Sequence, residues 1–126
     1  MGFDIFLQGF AGGDASTAGA AAAERVLRPY LVGEADESFA RVATDDGGAE
    51  VYGLGTDSLL VSRPSGERVF DLLVEVAALA GWAIMPVGCA TCVTDEAAIR
   101  ELPDELRDDV VLVRSGGELM DVIERT

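Results

Sequence analysis

Three strand-like runs follow one another in the middle of the chain with no helix between them, and this succession most limits the folds open to it. Residues 39–44 alternate apolar and polar side chains up to Asp45-Asp46-Gly47-Gly48, a strong hairpin signal. Residues 49–54 continue as the partner strand. After the Gly55-Thr56-Asp57 turn, residues 58–62 supply a third. Consecutive strands joined by short turns are antiparallel, because parallel neighbours need a long crossover.

Helical and strand patterns flank this block. Residues 3–8 form a short aromatic and branched strand run stopped by Gly9, and residues 18–30 an alanine-rich helix broken near Pro29, with Asp14, Ser16 or Thr17 as its cap. Residues 67–80 are the clearest helix, capped by Ser65 and ended by Gly81. Its expected buried stripe is Val69, Leu72, Leu73, Val76 and Leu79. Residues 82–87 then read as a strand and 88–93 as a loop. A short acidic helix follows, from Thr94 or Asp95 to about Leu102, and a further turn runs from Pro103 through Leu106. Residues 110–113 are four successive β-favouring apolar residues, the pattern of a strand covered on both faces. Ser115-Gly-Gly-Glu118 opens a last helix as a capping box.

The order β-α-β-β-β-α-β-α-β-α predicts one α/β (α+β) domain over residues 1–126. It should hold a mixed sheet of five or six strands with helices packed on it, partly ferredoxin-like (βαββαβ), with a C-terminal αβα extension. A chain of 126 residues is long enough for a real core without metals or disulfides.

The missing residue types say more about chemistry than those present. There is no His, and all nine basic residues are Arg. Ser-His-Asp and Cys-His catalysis, His-ligated metal, Schiff-base chemistry and a P-loop lysine each need a side chain absent here. No catalytic residue and no cofactor is assigned. Twenty-three acidic residues give a net charge of −14, and the arginines are scattered, so nucleic acid is not an expected partner. The charge serves solubility, or else suits the surface to a basic protein partner. The first ten residues carry Asp4 and no basic residue, unlike a signal peptide, and Met1-Gly2 is followed by Phe6 where a myristoylation motif has Ser or Thr. The apolar stretch 69–88 is interrupted by Asp71 and Glu75 and closed by Pro86, unlike a membrane span. A cytoplasmic protein without membrane contact is expected.

Two places could carry chemistry. Cys89-Ala90-Thr91-Cys92 is a C-x-x-C after a strand, able to close a small disulfide or supply half of a tetrahedral metal site. As a redox pair, Cys89 would attack and Cys92 resolve. Asp95 and Glu96 nearby would raise a thiol pKa, no Lys or His would lower it, and the other two ligands of a metal site are missing. Thiols with no chemistry are the plainer alternative. The glycine-rich turn holding Gly12 and Gly13 leads toward a helix and is a candidate anion-binding loop, although it matches neither G-x-G-x-x-G nor a P-loop. The acidic runs lack calcium-loop spacing and read as solvated loops and helix ends, and Trp82 and Tyr52 as core and sheet packing.

The opening Met1-Gly2-Phe3-Asp4-Ile5-Phe6-Leu7-Gln8, with Met85-Pro86-Val87-Gly88-Cys89-Ala90-Thr91-Cys92-Val93-Thr94, resembles a group of small acidic proteins encoded in high-GC actinobacterial genomes. The resemblance implies a single cytoplasmic domain and brings no activity with it. The expected role is therefore a non-catalytic domain acting through protein contacts, as a homodimer or on a basic partner. The alternatives are a thiol redox or metal-binding protein using Cys89 and Cys92, and an immunity-type inhibitor of a basic toxin.

Overall fold

The computed structural model describes residues 4–125. Phe3, the first residue of the opening strand pattern, lies outside the described residues, as do the Met1-Gly2 start and Thr126. The chain runs β1 (Asp4–Ala11), β2 (Asp14–Ala15), α1 (Ala20–Leu27), a 3₁₀ turn (Arg28–Tyr30), β3 (Leu31–Val32), β4 (Ala40–Ala43), β5 (Gly48–Tyr52) and β6 (Ser58–Ser65). It continues through α2 (Arg68–Ala80), β7 (Trp82–Pro86), β8 (Thr91–Val93), 3₁₀ turns over Glu96–Glu101 and Asp104–Leu106, β9 (Val110–Leu112) and α3 (Gly116–Glu124).

The strands form one mixed sheet in the order β3-β4-β5-β6-β1-β7-β8-β9, with β2 folded back on β1. All neighbours are antiparallel except β8 and β9, which run parallel. The central block of three strands is as expected, but the described residues hold nine strands where five or six were anticipated. Two of the additions, β2 and β3, are two-residue pairings, too short to leave a periodic signal. The third, β8, occupies part of the segment read as a loop.

Strand alternation divides the sheet into two faces. Ile5, Leu7, Val51, Val61 and Ile84 point to the helical side and are buried. There α2 lies between α1 and α3 and buries seven apolar side chains, among them Phe70, Leu72, Leu73 and Val76. Cover from both neighbours brings Phe70, Val74 and Ala77 into the buried arc and leaves Leu79 at its rim. Leu79 is therefore 64% exposed, against the expectation that it belonged to the core stripe. On the opposite face a smaller core of Ala83, Val93 and Leu102, joined by Phe10, Ile99 and Leu106, sits beneath the 3₁₀ segment between β8 and β9.

The helix ends differ from the local expectations in two places. Gly19, at φ 103°, caps α1 without a side-chain hydrogen bond, because Asp14 is drawn into β2 and Ser16 bonds the Ala18 amide instead. Ser65 does not cap α2. Its hydroxyl accepts from the Gly48 amide, and the carboxylate of Asp46 reaches the helix start to accept from Glu67 N–H at 2.8 Å. Gly81 ends α2 in the left-handed conformation as expected, and Ser115 caps α3 through the Glu118 amide. The β9 pattern is also corrected: it pairs only with β8 at the sheet edge, and Val110, Val111 and Leu112 are half-buried rather than covered on both faces. Among the described residues no helix is long and apolar enough to cross a membrane.

Candidate functional site

The two thiols do not share an environment. After β7 the chain turns through Gly88 (φ 81°), and the Cys89 amide closes the turn on the Pro86 carbonyl at 3.1 Å. Cys89 is half-buried, and its Sγ lies 3.8 Å from the Val87 carbonyl. Cys92 is not in a loop. It lies within β8 opposite Ile84 and Val111, with no exposed surface. Burial, and then the neighbouring Cys89, push its thiol up to about 11, against a weaker opposing influence from Arg125. A thiolate is the nucleophile and the metal ligand, so this environment holds Cys92 in its unreactive form at neutral pH. Both cysteines are free, and no cluster of three His, Cys, Asp or Glu side chains among the described residues could hold a metal ion. The segment that follows is a 3₁₀ turn rather than an α-helix, with Asp95 accepting from the Ala97 amide at its start.

The glycine loop already holds a carboxylate. The Gly12 amide donates to Glu101 Oε2 at 2.6 Å, and the Gly13 amide to the Glu101 carbonyl at 3.0 Å. Both glycines have positive φ, 61° and 87°, and a Cβ would meet nothing within 4 Å at either. Glycine is thus needed here for backbone conformation and not for close approach of a ligand. The loop is separated from the N-terminus of α1 by β2 and the residues up to Gly19.

The sheet face opposite the helices presents a feature that single-residue motifs do not reveal. On the β4-to-β1 side its apolar residues stay partly open to solvent. Tyr52 pairs with Leu60, Leu60 with Phe6, and Phe6 with Met85, so four adjacent strands place apolar side chains in one row. Phe39 extends the row by an edge-to-face contact with the Tyr52 ring, centroids 5.6 Å apart. Phe6 is 45% and Phe39 38% exposed, while Tyr52, Leu60 and Met85 are half-buried. Of these five, sequence reasoning singled out Tyr52 alone. The alternation of Ile5 and Leu7 about Phe6 is the signal that could have found the rest.

Beside this row runs a polar one. Arg41 pairs with Glu50, Glu50 with Ser62, and Ser62 with Asp4. A bulge between β5 and β6 adds Arg63, the one non-glycine residue with positive φ (54°) among those described. Glu50 is half-buried and lies 3.9 Å from Arg41 and 4.0 Å from Arg63, long pairs in which both guanidiniums stay largely exposed.

What fold and surface define at this point is an α/β protein with one helical layer and a partly open mixed sheet. No protein-family model matches the chain, and neither a curated protein nor a solved structure matches it.

Proposed function

We propose that this protein is a non-catalytic interaction module that works through protein contacts made by the partly open face of its sheet. The row Phe39, Tyr52, Leu60, Phe6 and Met85 carries this reading. Aromatic residues and Met are the types enriched at the centres of protein interfaces, and a contiguous, partly exposed apolar row with an exposed Phe within it and another at its end fits such a contact site. The buried, protonated Cys92 favours contact over thiol redox or metal chemistry. We read the β5-β6-β1-β7 order, antiparallel throughout, as partly ferredoxin-like; the split pairs β1/β5 and β6/β7, each spanning a helix, support that. The two free thiols fit a reducing compartment and hence a cytoplasmic location.

A photo-crosslinking amino acid in place of Phe6, compared with one in place of the exposed helix residue Leu79, tests the reading in living cells. Discrete adducts from position 6 and none from position 79 are expected. No adduct from position 6 would overturn it.

A further inference from the structure

The apolar row and the charged row beside it are offset in a way that is complementary to itself. We infer that the occupant of the open face is a second copy of this chain, packed sheet to sheet about a two-fold axis. The axis runs along the strands between β5 and β6. This deepens the contact reading above and rests on it.

Charge first separates a second copy from a basic partner. The open face carries Asp4, Glu50, Arg41 and Arg63. Two carboxylates and two guanidiniums cancel, so the net charge of −14 lies on the rest of the molecule. A basic partner is drawn to that remainder, whereas a neutral apolar face suits a copy of itself.

Register then selects the axis. A two-fold between β5 and β6 sets β4 over the partner's β1 and β5 over its β6, with the rows kept in line. Arg41 then faces the Asp4 position of the other copy, twice per dimer, while Phe39 faces the Phe6 position and Tyr52 the Leu60 position. Moving the axis onto β6 sets Glu50 against Asp4. Moving it onto β5 sets Glu50 against itself. Both bury like charges, and sheets about 10 Å apart with strands within about 30° bring such side chains into reach. An axis between β4 and β5 pairs Arg41 with Glu50 but carries Phe6 past the β3 edge of the other copy, and one between β6 and β1 leaves Arg41 and Glu50 facing no opposite charge. An isologous interface requires this kind of reciprocity, in which one residue contacts a second and the second contacts the first.

Within one chain Arg41 and Asp4 stand three strand spacings apart, about 14 Å. That exceeds the screening length of about 8 Å at physiological salt, so coupling between the two residues reports contact between copies. The experiment is sedimentation equilibrium of the full chain from about 1 μM to about 1 mM, with circular dichroism to confirm folding of each variant. A reversible monomer–dimer equilibrium is expected. Arg41→Asp and Asp4→Arg should each weaken it by about tenfold or more, and the double variant should regain most of the loss. A wild-type monomer throughout, with position 6 still crosslinking to a different protein, would overturn the dimer and leave the contact reading standing. A dimer indifferent to Phe6→Arg, or one lost in both single variants and not regained in the double, would equally overturn it.

Discussion

The indole Nε1 of Trp82 donates a 2.8 Å hydrogen bond to the carbonyl of Ala18, fastening the start of α1 to the strand that follows α2. The helix needs this anchor. It offers the core little more than Ala23 and Leu27, because its alanines make it easy to form and thin to pack. Gly19 completes the joint. A Cβ there would fall 2.5 Å from the same indole nitrogen and 2.7 Å from the Ala80 carbonyl, at a φ of 103° that other residues avoid.

Gly19→Ala should therefore destabilise the fold by about 3 kcal/mol, combining strain with a clash that neither backbone nor indole relieves cheaply. Trp82→Phe, which removes the donor and some volume, should cost about 2 kcal/mol. Urea denaturation of each variant against wild type measures both.

Asp46 should make the stability of α2 depend on acid. Its carboxylate is held below its ordinary value of 3.8, chiefly by the Glu67 amide and then by the Thr44 hydroxyl. A depressed folded pKa contributes stability that is present above the unfolded value and lost as pH falls through the folded one. Asp46→Asn should lower the Tm at pH 7, and the gap from wild type should narrow below about pH 4. Thermal melts across that range check the convergence.

The two thiols should separate on alkylation. With its thiol near 11, Cys92 carries a thiolate in about one molecule in a thousand at pH 8, and it is buried besides. Native protein should take up iodoacetamide once, at Cys89, and a second time only when denatured. Since the Cys92 thiol is raised above 9.0, its contribution to stability is complete below that value and is lost as pH rises through about 11. Rapid double labelling of the native chain would contradict the burial of β8.

Glu101 fastens the 3₁₀ segment to the glycine loop. Glu101→Ala should destabilise the protein by about 1 kcal/mol, since the bond is short and charge-assisted but exposed. The clearer readout is hydrogen exchange. The Gly12 amide should lose protection while amides in β1 keep theirs.

The features legible in the sequence were those set by local patterns. Asp45-Asp46-Gly47-Gly48 does join β4 to β5, Gly81 does end α2, and Ser115 does cap α3. What was not legible depends on distant parts of the chain meeting. Asp46 displaces Ser65 as the cap of α2 because the bulge at Arg63 and the turn at Gly66 bring the hairpin loop to the helix start. Cys92 looked like a loop residue because the strand it joins is three residues long. The apolar row was hidden for a related reason. Its five members come from five separate segments, and only cross-strand register aligns them.

The place of β1 in the sheet has a consequence for how the chain emerges from a ribosome. The earliest of the described strands lies between β6 and β7, with Leu7 opposite Leu59 and Ile84. Until those later strands are made, Ile5 and Leu7 have no sheet to join. Synthesis at about 5–20 residues per second leaves them waiting for several seconds. During that wait the future centre of the sheet is an apolar strand lacking both of its long neighbours, an element suited to being held by a chaperone.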